Sequence, residues 1–131
     1  MFFITPPVIA SVLTLSFTGI LQPQGNLYVA VYNRESAFLN TQEVCAQRIV
    51  PISATSLSVT LDGLSPGTYA ISCFQDVNGN GKLDTNWAGI PQEPFGFSNN
   101  VRPQFGPPSW AEAKFEHPGA GSFLSIQLIR W

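Results

Sequence analysis

The sequence predicts an all-β protein: a single antiparallel β-sandwich of about seven strands with one long ordered loop. Apolar and polar residues alternate in several short stretches, as expected for strands that bury one face. Gly and Pro each occur 11 times, and only 11% of the residues are charged, against roughly 25% in an average soluble protein. Turn-forming residues separate the alternating stretches at intervals of about 8 to 12 residues, which is the spacing of a sandwich.

Alternation predicts the first two strands, and the Gln-Pro-Gln-Gly-Asn turn at 22–26 predicts that they form a hairpin. Their inward positions are Leu13, Leu15 and Phe17 in the first strand and Leu27, Val29 and Val31 in the second. Residues 34–47 break the pattern, which indicates a loop or a short helix across one end of the fold. A third strand is predicted over 48–52 and is placed at a sheet edge by Pro51, which has no N–H for a ladder hydrogen bond.

Three further strands follow the same rule. One has the inward positions Leu57, Val59 and Leu61 and ends at the turn at 62–67, and the next covers residues 68–75 after that turn. The last has the inward positions Leu124, Ile126 and Leu128 near the end of the chain. Tyr69 lies at the corner after the turn, where a tyrosine hydroxyl commonly bonds the backbone upstream, so we expect a structural role for it.

Residues 85–120 are rich in Pro, Gly and Asn and show little periodicity, which predicts the long ordered loop. Aromatic side chains are expected to anchor it, and we place it at the same end of the sandwich as the turn at 76–84. These aromatics are Trp87, Phe95, Phe97, Phe105, Trp110 and Phe115.

The 131 residues predict one domain over 11–131. Residues 1–10 are a candidate truncated or atypical leader, because they are apolar and because Val8 and Ala10 suit a cleavage site, although the basic n-region is missing. Pro6 and Pro7 interrupt the apolar run, so we expect no transmembrane segment.

Charge and cysteine content exclude some classes of protein and leave one question open. The formal net charge is -2 and the six Lys and Arg residues are scattered, so no nucleic-acid partner is expected. Cys45 and Cys73 are either one disulfide or two buried thiols, and the sequence does not decide between these. The spacing of the cysteines and the single histidine argues against a structural zinc site.

Residues 76–84 form the best candidate for a metal site, with the sequence Asp-Val-Asn-Gly-Asn-Gly-Lys-Leu-Asp. Asp76, Asn78 and Asn80 occupy alternate positions, and their side chains can turn toward one point because the glycines permit a tight curl. Hard oxygen ligands suit Ca²⁺, and the pattern matches a calcium loop through the second glycine. The sequence therefore predicts a Ca²⁺ site at this turn.

The ligand set departs from a complete EF-hand after that glycine. Lys82 would offer its carbonyl, as that position usually does, but Trp87 occupies the position of the bidentate Glu. The site would then need Asp84, Glu93 or a more distant group. The alternative interpretation is a tight polar turn between strands with no metal.

A second candidate site is the ligand loop formed by Phe97, Ser98, Asn99 and Asn100. Small and amide side chains beside an aromatic ring are a common lining for a sugar or peptide pocket. The alternative is that the amide and hydroxyl groups satisfy backbone groups within an irregular loop.

No motif identifies a catalytic nucleophile, and His117 is expected in a surface turn before Pro118. We therefore expect a binding or accessory module rather than an enzyme, with an unidentified protein or glycan as its ligand. The alternative is a hydrolase of glycans or peptides that uses the 93–117 loop, in which His117 or Glu93 would meet Ser98 or Asn99.

The stretch from Leu61 to Phe115 resembles the bacterial family named domain of unknown function 2141. The resemblance rests on five segments in this order: 64–69 (Leu-Ser-Pro-Gly-Thr-Tyr), 76–86, 89–91 (Gly-Ile-Pro), 96–100 (Gly-Phe-Ser-Asn-Asn) and 105–109 (Phe-Gly-Pro-Pro-Ser). It implies a periplasmic or secreted sandwich, similar in outline to the prealbumin-like and carboxypeptidase-regulatory-like folds, without an established activity. The number and spacing of the predicted strands also fit an immunoglobulin-like sandwich. No catalytic residues follow from it.

Overall fold

The structure is a computed structural model that describes residues 12–119 and 121–131. The candidate leader at 1–10 lies outside the described residues. Within these residues, two β-sheets pack face to face and do not close into a barrel. The predicted all-β sandwich is therefore confirmed.

Eight strands and a few short helical segments make up the described chain. The strands are β1 (Leu13–Thr18), β2 (Asn26–Tyr32), β3 (Ala46–Pro51), β4 (Leu57–Leu61), β5 (Gly67–Asp76), β6 (Phe95–Phe97), β7 (Phe115–His117) and β8 (Ser122–Gln127). The helical segments are the α-helix α1 (Trp110–Ala113) and 3₁₀ turns at Glu35–Ala37, Thr41–Glu43 and Ser98–Asn100.

The smaller sheet has the strand order β4-β1-β8. β1 pairs with β4 antiparallel but with β8 in parallel, with Leu15 opposite Val59 on one side and Leu124 on the other. The parallel pair is an exception to the antiparallel sandwich that the sequence predicted. It is possible because the chain passes through the whole second sheet between β1 and β8, and parallel neighbours need such a long crossover.

The larger sheet has the order β3-β2-β5-β6, and β7 pairs with the start of β5. The predicted hairpin of β1 and β2 is wrong, because the two strands lie in different sheets. Both strands carry a row of large apolar residues, and facing each other across the core buries both rows. β3 lies at the edge of its sheet, as Pro51 predicted.

The core lies between the sheets and contains the inward rows that alternation predicted. Leu13, Leu15, Phe17, Leu27 and Val31 are fully buried. Tyr69 also packs in this core, and its hydroxyl donates to the carbonyl oxygen of Ser65 at 2.5 Å, which confirms its predicted structural role. The inward rows and this corner fix how the two sheets face each other.

The predicted long loop carries more structure than the sequence indicated, since β6, α1 and β7 all lie within it. Phe95 is buried, but Trp87 and Phe105 are 98% and 103% exposed, so the expectation that these two anchor the loop is wrong. Both lie in turn regions that leave their side chains in solvent.

Cys45 and Cys73 are both free thiols, which answers the question that the sequence left open. Cys73 is buried in the core, and this burial raises the pKa of its thiol. Cys45 is exposed on the other side of β2 from β5. In the described part of the chain, the helices are all too short or too polar to cross a bilayer.

Candidate functional site

The 76–84 turn begins at Asp76, the last residue of β5, whose side chain is fully buried. Its carboxylate closes the turn by accepting two backbone N–H groups, from Asn80 to Oδ1 at 3.2 Å and from Gly81 to Oδ2 at 2.8 Å. Gly79 and Gly81 have φ values of 74° and 80°, a left-handed conformation that favours glycine. The tight curl expected from the sequence is therefore present.

The side chains of Asn78 and Asn80 both reach across the turn to Asp84. Asn78 Nδ2 donates to Oδ2 of Asp84 at 2.7 Å, and Asn80 Nδ2 donates to Oδ1 at 2.6 Å. The side-chain oxygens of the two asparagines accept backbone N–H groups two residues further on, from Asn80 at 3.3 Å and from Lys82 at 3.2 Å. The four predicted ligand side chains thus belong to one hydrogen-bonded turn.

The hydrogen bonds of this turn lower the pKa of the Asp84 carboxyl. The amide of Asn80 holds the pKa of the Asp84 carboxyl below its usual value of 3.8, and the amide of Asn78 acts in the same direction. A donor that bonds to the carboxylate favours the ionised form. Asp84 is therefore an anion at neutral pH, which suits it to bind a cation.

Glu93 fastens the two ends of the turn to each other. Its side chain is 6% exposed, and it accepts the backbone N–H of Val77 at 2.7 Å and that of Asp84 at 2.9 Å. The sequence suggested Glu93 as a possible replacement ligand, but the structure gives it the role of a clamp. A single acidic residue in the otherwise uncharged segment from 85 to 101 was the available signal.

Two carboxylates, those of Asp76 and Glu93, are therefore buried at this turn. Neither takes part in an ion pair within the described residues, where the one ion pair joins Arg34 to Glu43. A buried carboxylate is costly unless donors or a cation compensate it. Among the described side chains, no three His, Cys, Asp or Glu groups converge closely enough to hold a metal, so an ion here would rely on Asp76 and Asp84 with amide and backbone oxygens.

A large groove lies beside this turn, over the outer face of the larger sheet. We call it the sheet-face groove; its floor is Tyr28 and Ala30 of β2 with Ser72 and Phe74 of β5, and its volume is about 820 Å³. The Tyr28 and Phe74 rings stack on each other, with centroids 4.9 Å apart and 16° between their planes. The volume of the groove falls within the range of about 300 to 1,000 Å³ that is usual for ligand sites.

Three loops form the walls of the sheet-face groove. They are residues 81–91, which follow directly from the 76–84 turn, residues 39–44 with the second 3₁₀ turn, and residues 103–107. Phe97 of β6 and Trp131 also line the groove. This groove was not predicted from the sequence. The available signal was Tyr28 and Phe74, two large aromatic residues at positions where alternation predicts the outward face of a strand.

The turn and the groove share residues. Gly81 and Lys82 belong to the turn and also line the sheet-face groove. A Cβ placed on Gly81 would lie 3.7 Å from the hydroxyl oxygen of Tyr28. A change in the shape of the turn therefore reaches the floor of the groove directly.

The polar side chains of the predicted ligand loop bond backbone groups, whereas its Phe97 lines the sheet-face groove. The Ser98 hydroxyl is fully buried, donates to the carbonyl oxygen of Ala113 at 2.5 Å and accepts the N–H of Ile71 at 2.9 Å. Asn99 Nδ2 donates to the carbonyl oxygen of Lys114 at 2.8 Å.

Asn100 is used in the same way, since its Oδ1 accepts the N–H of Gln127 at 2.9 Å. These three polar side chains satisfy backbone groups, which agrees with the alternative interpretation of the loop. Ligand binding by this loop stays a prediction, and Phe97 is its member that lines the sheet-face groove.

The groups considered for a hydrolase are engaged elsewhere. His117 is 1% exposed, so its expected surface position is wrong; β7 pairs with the start of β5, and this pairing buries the ring beside Tyr69. Its Nδ1 lies 2.7 Å from the hydroxyl of Ser122. Neither His117 nor Glu93 meets Ser98 or Asn99 through a side-chain hydrogen bond in the described structure.

A protein-family model matches residues 15–122, and the family is described as an uncharacterized protein conserved in bacteria, domain of unknown function 2141. The match covers more than half of the chain, and the chain therefore belongs to this family. It confirms the resemblance carried by the sequence motifs. No curated protein and no solved structure matches the chain.

Proposed function

We propose that this family member is a non-catalytic, extracytoplasmic binding module that holds a ligand in the sheet-face groove and uses Ca²⁺ at the 76–84 turn to order one wall of it. The observation that carries the proposal is the shared wall. The chain leaves the turn at Asp84 and runs directly along the groove as residues 85–91.

The composition of the groove supports binding. Most residues along the sheet-face groove are apolar or aromatic, with a small number of polar groups such as Ser72, Thr85 and Gln104. A concave apolar site with a few polar groups is the usual form of a ligand pocket. The stacked pair of Tyr28 and Phe74 gives the floor a fixed shape.

Calcium is supported by the buried charge of the turn. Asp76 is fully buried and accepts only neutral N–H groups among the described contacts, so a cation would offset the cost of its charge. Each carboxylate oxygen has two lone pairs and can bond an N–H and an ion together. Ca²⁺ would also draw the oxygens of Asn78 and Asn80 inward, in place of the amide nitrogens that now face Asp84.

The ligand set favours weak binding. Two carboxylates, two amides and one carbonyl carry less negative charge than the loop of a calcium sensor. Affinity for Ca²⁺ decreases when the ligands carry less negative charge. A dissociation constant on the order of 10⁻⁴ to 10⁻³ M, as in extracellular calcium modules, follows from this comparison. Such a site fills where calcium is abundant, which supports a periplasmic or secreted location.

The non-catalytic part of the proposal rests on how the reactive groups are used. His117 is buried beside the ring of Tyr69. Both carboxylate oxygens of Glu93 accept backbone N–H groups of the turn. Neither group lines the sheet-face groove. A ligand in the groove would therefore meet Lys82 and neutral side chains.

Thermal unfolding with and without calcium tests this function. At a free calcium concentration about ten times the dissociation constant, binding to the folded state adds about 1.4 kcal/mol, which raises the melting temperature by roughly 5 °C for a domain of this size. Addition of a chelator should reverse the rise, and Mg²⁺ should not replace Ca²⁺ at equal concentration.

Asp84→Asn should lose most of the rise, because it removes one of the two charged ligands. Asp62→Asn is the matched control, since Asp62 is an exposed aspartate in the turn between β4 and β5 and should leave the rise intact. A melting temperature that does not respond to calcium in the unsubstituted protein would leave only the polar-turn interpretation of residues 76–84.

A further inference from the structure

We propose that the ligand of the sheet-face groove is a monomeric anionic amphiphile, with its acyl chain along the groove and its carboxylate at Lys82. This inference rests on the proposed binding function and names the chemistry of the ligand. It follows from the apolarity of the lining, from the sign of its charge and from the position of the groove on the sheet.

Most of the residues that line the sheet-face groove are apolar. Aliphatic and proline side chains such as Leu39, Leu83, Ile90 and Pro103 stand on the walls above the aromatic floor. Burial of a methylene group away from water is favourable by about 0.8 kcal/mol. An elongated hydrocarbon chain therefore gains more from this surface than a polar ligand does.

The sheet-face groove has one charged side chain among its described lining residues. Lys82 is the charged side chain among the described residues that line the sheet-face groove, and none of the lining residues is an aspartate or a glutamate. Lys82 is also exposed, so its ammonium is available to a ligand. One cation beside an apolar groove is complementary to an amphiphile with one anionic head group.

A glycan fits these observations less well. Sugar rings stack on open aromatic faces, whereas Tyr28 and Phe74 each cover one face of the other. Sugar hydroxyls also need many fixed hydrogen-bonding groups, because a polar group without a partner is costly when buried. The carboxylates of the neighbouring turn are occupied by backbone and amide donors instead.

A peptide fits less well for a different reason. An extended peptide is commonly bound along the edge of a sheet, where unpaired backbone groups are free. The floor of the sheet-face groove is the face of two central strands, β2 and β5, whose backbone groups pair with each other. A peptide backbone would find few partners there, whereas an acyl chain needs none.

Exposed aromatic side chains stand at the rim. Phe105 is 103% exposed and Trp131 is 57% exposed, and both belong to the lining. Exposed aromatic residues of this size cost free energy in water. Contact with a bound acyl chain would remove that cost, which gives these two side chains a role in retention of the ligand.

Calorimetric titration with octanoate, decanoate and dodecanoate in the presence of calcium tests the inference, with each carboxylate kept below its micellar concentration and below the solubility of its calcium salt. Each added methylene should tighten binding by up to about fourfold until the groove is filled. Lys82→Gln should weaken the carboxylates by about twofold to fivefold and leave binding of decanol unchanged. Lys114→Gln, at an exposed lysine outside the groove, is the matched control.

Two groove variants locate the binding. Ala30→Phe fills the floor and should abolish binding, whereas Ala111→Phe on the exposed side of α1 should not. Phe105→Ser should weaken decanoate severalfold, and Phe123→Ser, at a phenylalanine that is 83% exposed outside the groove, should not. The Phe105 comparison remains valid even if Ala30→Phe fails to fold, because the Phe105 side chain is fully exposed.

The outcomes separate the inference from the function it rests on. Affinity that does not grow with chain length, or binding only to vesicles or micelles, overturns the acyl-chain inference. Binding of a neutral oligosaccharide or a proline-rich peptide that Ala30→Phe abolishes also overturns it, but leaves the binding function in place. A calcium response that is absent in thermal unfolding counts against the proposed function itself.

Discussion

Asn80 donates its side-chain amide to Asp84 across the 76–84 turn, with Nδ2 2.6 Å from Oδ1. This contact points the amide nitrogen at the carboxylate and leaves the amide oxygen on the backbone N–H of Lys82. Ca²⁺ would reverse the preference, because an ion between the two side chains attracts the oxygen. On the proposed function, the same turn would therefore have an ion-binding form beside this hydrogen-bonded form, with a similar backbone.

The ionisation of Asp84 should contribute to stability in a pH-dependent way. Its pKa in the folded state lies below the ordinary value of 3.8, chiefly because Asn80 donates to it. The stabilisation is therefore present above the unfolded pKa and is lost as the pH falls through the folded pKa. In urea unfolding without calcium, the difference in stability between the unsubstituted protein and Asp84→Asn should be largest at neutral pH and shrink below about pH 4.

A difference that stays constant from neutral to acid pH would contradict this account of Asp84. Asp62→Asn serves as the control for the loss of one negative charge, since the side chain of Asp62 is exposed and forms no hydrogen bond in the described structure.

Removal of the Glu93 clamp should destabilise the turn. Glu93→Ala takes away both acceptors and leaves the N–H groups of Val77 and Asp84 without them, at a cost of about 2 to 4 kcal/mol in the free energy of unfolding. Glu93→Gln keeps one acceptor oxygen and should cost about half as much. Urea unfolding measures both changes.

Glu35→Ala is the control for the Glu93 variants, because Glu35 is exposed and its carboxylate has no partner in the described structure. Equal effects of Glu93→Ala and Glu35→Ala on the urea midpoint would show that the two hydrogen bonds to the turn contribute nothing.

Gly25, in the connection between β1 and β2, packs against Asp76 at the start of the 76–84 turn. A Cβ on Gly25 would overlap the carbonyl oxygen of Asp76, and the φ of Gly25 is 72°. Gly25→Ala should therefore destabilise the fold and shift the turn away from β2. Gly63→Ala isolates the backbone effect, since Gly63 has a similar φ of 77° but open space around its Cβ position.

The expected order of stability is unsubstituted protein, then Gly63→Ala, then Gly25→Ala, as measured by thermal unfolding. Two equal losses would mean that the contact with Asp76 adds nothing to the conformational cost of the left-handed backbone.

The strands and the turn followed from local signals. The row of Leu13, Leu15 and Phe17 predicts a buried strand face whatever its partner is, and the spacing of Asp76, Asn78 and Asn80 predicts the curl. The pairing of strands did not follow, because alternation identifies the buried face of a strand but not the sheet in which it lies. This is why the predicted hairpin of β1 and β2 was wrong.

The groove depended on long-range contacts. Tyr28 and Phe74 are neighbours only because β2 and β5 pair with that register, and the sequence separates them by more than one strand. His117 was placed at the surface because it precedes a proline and a glycine, and its burial depends on the pairing of β7 with the start of β5. Local composition carries no information about either pairing.

A calcium titration followed by amide NMR tests the central claim most directly. The account predicts saturable shifts that are largest for the backbone amides of Asn80, Gly81 and Lys82 and for the side-chain amides that now bond Asp84, followed by smaller shifts at Tyr28 across the groove. Shifts that are absent, or that rise without saturation and are spread over the exposed acidic residues, would contradict it.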